Sequence, residues 1–372
     1  MNKLIFANLA HRPLRSIISI FAVAIEVVMI LSIVAVFMGM LHSSTQRTNG
    51  IGADIMMLPS NASLFNGVGG ASMPMADATV LLRLPHVAVV APVIQKLATS
   101  HNVEVIYGID FDSFNALKPF VFLSGGKFKG PNDAIIDNLA AEAGNPATGK
   151  PYVVGDTIQV LDQPFRISGI VEQGKGARKV IPIETMGDLV GAAGHASIFY
   201  IKCDNPANSE AVMKEIHATP GFGNNTLTTV DSWLDQMTPD KLPGFNLALT
   251  VVTSIAVIIG FLVILQSMYT AVLERTREIG ILKSMGASRQ AIIGLVLRET
   301  GLLAAAGVVV GIAGTFGVQA ILAVRFPTFA FEITGAWIGY GILIAFVGSM
   351  CGALYPAWMA ARKDPIDALA YE

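Results

Sequence analysis

Residues 144–150, GNPATGK, set two glycines and a lysine at the spacing of a phosphate-binding loop, where main-chain N–H groups and an ammonium surround phosphate. The next position of such a loop must carry a hydroxyl for magnesium, and here it is Pro151. Proline has no N–H to offer phosphate, and it disfavours helix at Lys150, where a phosphate helix would begin. Residues 133–144 before the loop are expected to be helical, whereas such a loop needs a strand there. Nucleotide binding is therefore not expected. The histidines form no His-Glu-x-x-His pair, and His101 and Glu104 are expected on opposite faces of a strand. Cys203 and Cys351 fall in different regions, so neither a disulfide nor a zinc site follows from them. No Gly-x-Ser-x-Gly elbow occurs. The chain is read as non-catalytic, with no metal or cofactor of its own.

Residues 274–288, ERTREIGILKSMGAS, suit mechanical rather than covalent chemistry. They form a charged island between the apolar runs 247–272 and 300–324. Arg275, Arg277, Lys283 and the following Arg289 stand against Glu274 and Glu278. A helix over 274–285 puts Ile281, Leu282 and Met285 on one apolar face with charge around the rest. Gly286 is placed to end that helix, and Ser288 to cap the next one. The expectation is a rigid, half-apolar helix against the membrane surface, shaped for a groove on a soluble partner.

The elements that must position this helix are membrane spans. Charged residues make up 14% of the chain and its mean hydropathy is +0.58, against about 25% charge in an ordinary soluble domain. Four stretches, placed at 17–41, 245–273, 291–324 and 333–361, each exceed the ~20 residues needed to cross a bilayer. Lys3, Arg12 and Arg15 precede the first span, the 274–298 loop holds Arg275, Arg277, Lys283, Arg289 and Arg298, and Arg362 and Lys363 follow the last. Basic residues favour the cytoplasmic side, so both termini (1–16, read as an amphipathic segment, and 362–372) and the loop 274–290 are expected inside. The first run is too long for a signal-peptide core and is read as a retained anchor. Residues 42–244 lie outside, and 325–332 form a short outer turn.

Two features of the spans stand out. Glu26 lies near mid-bilayer, where an ionised acid costs about 2.5–3.5 kcal/mol on insertion scales. It is expected on a protein-facing side, either paired across a helix interface or lining a polar cavity, or bonded as the neutral acid to a group such as Gln266 or Ser267. Gly307 and Gly311 have the spacing that lets helix backbones approach closely, within the bundle or between copies. The outer region reads as mixed α/β. Strands are expected at 53–58 and 103–108, a hairpin at 157–160 and 165–170 about a turn at 161–164, and a helix at 209–218. Residues 61–74 read as a loop, and Asp364-Pro365 as the start of a short terminal helix, 366–370.

The segment REIGILKSMGAS closely resembles the coupling-helix motif of ABC transporter permeases of the MacB/FtsX/LolC type. The ending YPAWMAARKDPIDALAYE is similar to that family's C-terminus, and NLAHRPLRS, Ile51-Gly52-Ala53-Asp54 and Val154-Gly155-Asp156-Thr157 match it more loosely. The resemblance implies four transmembrane helices with a large α/β extracytoplasmic domain between the first two. It further implies a porter-like lobe at about 43–115 and 197–235 around an inserted β-rich lobe at 116–196. In such a permease Ile279, Ile281, Leu282 and Met285 would dock on a cytoplasmic ABC ATPase. Arg277, Glu278 and Lys283 would add rim contacts, Gly280 would permit close approach, and Gly286 would close the helix. ATP and magnesium would belong to that separate ATPase, and Leu123-Ser124-Gly125-Gly126, which imitates an ABC-ATPase tetrad, is read as a turn. The partners implied are the ATPase, a second permease copy (the same chain or a close relative), the bilayer and an extracytoplasmic protein or lipoprotein, with no nucleic acid. The expected setting is a bacterial cytoplasmic membrane. An ATP-independent adaptor for a cell-envelope enzyme is the alternative.

Overall fold

A computed structural model describes residues 13–60, 72–98, 104–145, 148–239, 241 and 244–363. The expectations for residues 1–12, most of 61–74, His101 and the terminal helix 366–370 fall outside these. The chain divides into two compact units, one of residues 41–242 with 325–329, the other of residues 1–40, 243–324 and 330–372. The long helix α1 (Pro13–Asn49) runs from the second unit into the first.

The outer unit is built on one ten-stranded sheet. Its strands are β1 (Ile55–Leu58), β3 (Val87–Ala98), β4 (Glu104–Ile109), β5 (Phe122–Gly125), β6 (Asp133–Asp137), β7 (Thr157–Val160), β8 (Gln163–Val171), β9 (Lys179–Pro182), β11 (Ile198–Cys203) and β12 (Thr226–Thr229). Two short strands, β2 (Met73–Pro74) and β10 (His195–Ala196), pair separately. The order across the sheet is β12-β1-β11-β3-β4-β9-β6-β8-β5, with β7 also on β8. The strands of 43–115 and 197–235 make one side of this sheet and those of 116–196 the other. They join through the parallel pair β4–β9, so the sheet passes unbroken between the two sets.

Alternation sets the two faces. On β1, Met56 and Leu58 enter one apolar cluster while Ile55 and Met57 enter another. Helices cover both. The first cluster takes Phe114 and Leu117 of α3 (Phe111–Leu117) and Val230 of α7 (Val230–Gln236). The second takes Leu81 of α2 (Asp77–Leu81) and Val212 and Ile216 of α6 (Ser209–Ala218). A third holds Ala140 and Ala141 of α4 (Asn138–Ala143) with Ile183 and Met186 of α5 (Ile183–Val190).

The hairpin β7–β8 turns on two residues rather than four, because Leu161 and Asp162 both take positive φ (51° and 62°). The helix expected over 133–144 is in fact a strand followed by a helix, β6 then α4. All five residues of β6 are buried between β8 and β9. A strand covered on both faces loses the alternation that would distinguish it from a helix.

The helical unit contains most of α1 together with α8 (Phe245–Glu274), the short α9 (Thr276–Ser284), α10 (Arg289–Arg325) and α11 (Gly335–Arg362). Helices α1, α8, α10 and α11 are each long and apolar enough to cross a membrane. Small residues bring them together. Gly307 and Gly311 of α10 lie against Val23 and Val27 of α1, where a Cβ would meet the carbonyl oxygens of Ile20 and Ala24 at 2.9 Å. Their close approach is thus within one chain. Gly352 of α11 sits equally tightly on the Phe261 carbonyl of α8. Leu247, Ile258, Val309 and Leu343 are exposed, as a lipid-facing surface requires. Trp337 and Tyr340 near one end of α11, and Tyr355 and Trp358 near the other, form two aromatic pairs. Their separation, about 30 Å along a helix, is that of the two interfaces of a bilayer.

The candidate coupling site and the buried glutamates

Between α8 (Phe245–Glu274) and the short helix α9 (Thr276–Ser284) the chain turns a corner at a single non-helical residue, Arg275 (φ −108°, ψ 18°). Its guanidinium Nη1 donates to both carboxylate oxygens of Glu299 on α10, at 3.0 and 3.1 Å. Both side chains are almost fully buried, 12% and 7% exposed. Thr276 donates its hydroxyl to the carbonyls of Leu273 (2.8 Å) and Val272 (3.2 Å), which seals the end of α8.

The short helix α9 that follows has two distinct sides. Thr276, Ile279 and Gly280 are buried, and Ile279 joins the apolar cluster that holds Met268, Val272, Ile292, Val296 and Ala357. Leu282 packs against the edge of that cluster. The Lys283 ammonium donates to the carbonyls of Ala361 (3.0 Å) and Lys363 at the end of α11. There a cation meets the negative pole of the helix and its free carbonyls. On the other side Arg277, Glu278, Ile281 and Met285 are exposed, Met285 to 71%. Residues 277, 281 and 285 are four apart and form one stripe along the helix.

Gly286 ends α9 at φ +95°. Its N–H bonds the Lys283 carbonyl and the Ala287 N–H reaches back to Leu282, both at 3.0 Å, the paired closure of a Schellman motif. Ser288 then accepts the Ala291 N–H at 3.2 Å and starts α10.

The expected docking set is therefore divided by the structure. Ile281 and Met285 face outward with Arg277, Glu278 and Gly286, whereas Ile279 and Gly280 face the bundle. The reason is angular. Residues 279 and 281 differ by about 200° around a helix, so they cannot share a face. Gly280 is buried on the side of α9 that faces the bundle. Lys283 is half-buried and spent on α11 rather than standing at a rim.

Glu26 of α1 is 3% exposed, and neither carboxylate oxygen has a hydrogen-bond partner among the described residues. The bond expected to Gln266 or Ser267 is not made, since Ser267 instead meets Ser19 at 2.5 Å. The carboxyl lies in a recess formed by Gly260 of α8, where a Cβ would overlap it, and near Gly348 of α11. Glu299, by contrast, was not singled out from sequence. Only its distance of twenty-four positions from Arg275, with no helical phase in common, hid a pair that folding brings together.

Comparison with known proteins places this architecture. Residues 16–219 match the family of MacB-like periplasmic core domains, and residues 250–365 match the FtsX-like permease C-terminal family. A macrolide export ATP-binding/permease protein MacB from Nitrobacter winogradskyi is 25% identical over 98% of this chain and 59% of its own length. The uncharacterized ABC transporter permease YknZ of Bacillus subtilis is 24% identical over 98% of this chain and 96% of its own. The periplasmic region of MacB from Actinobacillus actinomycetemcomitans aligns in structure with a TM-score of 0.40 and 14% identity, over 51% of this chain and 94% of that one. The chain spans about three fifths of the length of the MacB relatives it matches. With four apolar spans and a large α/β unit after the first of them, the chain belongs to the MacB/FtsX-type family of ABC transporter permeases.

Proposed function

We propose that this chain is the membrane subunit of an ABC transporter and couples ATP hydrolysis by a separate cytoplasmic ATPase to movement of its outer unit. The observation that carries this reading is the two-sided α9. Its inner side is locked into the bundle by Ile279, Arg275–Glu299 and Lys283, while its outer stripe of Arg277, Glu278, Ile281 and Met285 is exposed among the described residues. A push on that stripe would pass into α8, α10 and α11 together. The Bacillus subtilis relative, matched over almost its whole length, is itself named an ABC transporter permease.

On this reading both termini and α9 are cytoplasmic, as the basic residues at those ends favour. ATP and magnesium belong to the partner ATPase, and this chain binds no cofactor. Two permease copies, identical or closely related, sit on a pair of ATPase subunits in a bacterial cytoplasmic membrane. The outer unit then handles a lipoprotein, peptide, drug or cell-envelope protein, and no substrate need cross the bilayer through the four spans.

Ile281→Asp and Met285→Asp test the assignment. Both residues are exposed, so stability should stay within about 0.5 kcal/mol of the unchanged chain. The copurifying ATPase should be lost, or its activity should no longer respond to the permease. Copurification and coupled hydrolysis at ordinary levels in both variants would remove the docking stripe. Failure of the unchanged chain to retain any ATPase would favour the ATP-independent adaptor.

A further inference from the structure

Three stretches of chain that are distant in sequence meet around Arg178 in the outer unit. The first is the end of α1, where the Arg47 carbonyl accepts the Gly176 N–H at 2.9 Å. Gly50 just beyond it lies so close to the Gly174 carbonyl that a side chain has no room. The second is the loop 172–178 that carries these glycines from β8 to β9. The third is the turn 325–329 between α10 and α11, which clusters with the outer unit rather than with the helices it connects.

Arg178 joins the second stretch to the third. Its Nη2 donates to the Thr328 carbonyl at 3.0 Å and its Nη1 to Asp137 at 3.3 Å. The two charged side chains are 15% and 6% exposed. Asp137 is itself anchored in the sheet. It caps α4 by accepting the Ala140 N–H at 2.7 Å, and its own N–H donates to the Arg178 carbonyl at 2.9 Å. Burial pushes its carboxyl above the ordinary range, opposed by that N–H and by the Arg178 and Arg47 guanidinium groups.

We infer that Arg178 is a positioning residue that ties the turn 325–329 to the sheet at Asp137 and β9. A planar guanidinium spans two acceptors in fixed directions, whereas an ammonium is a point charge that cannot hold the same pair in the same geometry. The tether therefore depends on the fork, not only on the charge. Its use in transmitting helix movement rests on the coupling reading above; the tether itself does not.

Hydrogen–deuterium exchange on the full chain in nanodiscs tests it, using Arg178→Lys and Arg178→Met beside the unchanged protein. Lysine keeps a cation beside Asp137, so Arg178→Lys should melt close to the unchanged chain. In both variants, exchange in the turn 325–329 should rise by about tenfold or more, the loss expected for a charge-assisted hydrogen bond. Unchanged exchange there, or full recovery of both melting and exchange by lysine, would overturn the tether. A second arm uses the chain with its copurifying ATPase, compared with and without ATP and vanadate. Nucleotide should alter exchange at 172–178 in the unchanged complex and leave it unaltered in Arg178→Lys, while exchange at α9 still responds. A nucleotide response at 172–178 that survives Arg178→Lys would also overturn the inference. If the unchanged complex shows no response anywhere, the coupling reading falls, and the exchange without nucleotide still decides the tether.

Discussion

The two units of this chain bury charge by different means. In the outer unit, main chain does much of the work. Asp133 accepts the N–H groups of Lys129 (2.6 Å) and Gly130 (3.0 Å), and Asp137 accepts that of Ala140. Buried Lys175 donates to the Lys118 carbonyl and lies 4.0 Å from the centre of the Phe120 ring. In the helical unit, Glu299 is held by the Arg275 side chain, and neither oxygen of Glu26 has a hydrogen-bond partner among the described residues. The contrast follows from the backbone. Loops and helix ends leave N–H and C=O groups free to meet a charge, whereas the interior of a spanning helix has used all of its own. A buried acid there must find another side chain or go without.

The largest effect is therefore expected at Arg275. Arg275→Ala should leave Glu299 buried without its guanidinium and cost about 3–5 kcal/mol, read as a large fall in melting temperature in detergent. A melting temperature equal to that of the unchanged chain would mean that some other group holds Glu299, and the contrast would weaken. Next comes Gly307→Leu, which drives a side chain into Val23 and the Ile20 carbonyl. Overpacking of this kind should cost about 1–3 kcal/mol, with little change at Gly317→Ala, where the space is open.

Glu26→Gln sharpens the comparison most directly. The amide has nearly the shape of the acid and meets the same surroundings, with no partner among the described residues, so stability should change by less than about 1 kcal/mol. A loss as large as that of Arg275→Ala would show that Glu26 has an ionic partner after all. A separate effect is a slope with pH in the outer unit. Burial, with Lys118 and Lys202 nearby, pushes the Lys175 ammonium down from its ordinary 10.5 to about 7. Between these values the unfolded chain holds a proton that the folded chain lacks, so this group makes stability rise with pH across that window and leaves it flat below. Urea titrations from pH 6 to 10 should show the rise, and Lys175→Met should remove it.

Much of the plan was legible from local pattern. The four spans announced themselves by length and apolar content, the helix at 209–218 by its period, and the break at Gly286 by the need for a residue that tolerates positive φ. The hairpin at β7–β8 was visible through alternation, although its turn proved two residues shorter. Where pattern disappears, reading failed. Residues 133–137 are apolar or buried on both sides, and nothing in their order distinguishes strand from helix. The site was partly legible for a similar reason. The amphipathic charge pattern marked α9, but which apolar residue faced which way depended on a phase that was not applied to Ile279.

Sequence alone determined the four apolar helices and many of the remaining elements, because hydrophobic length, charge placement and helix-ending glycines act over neighbouring residues. Tertiary structure decided the partnerships: Arg275 with Glu299, Gly307 with Val23, Arg178 with Thr328, and the isolation of Glu26 in the recess at Gly260. Those depend on which helices and strands come to lie side by side, and a contact between residues dozens or hundreds of positions apart leaves no mark on the spacing of either.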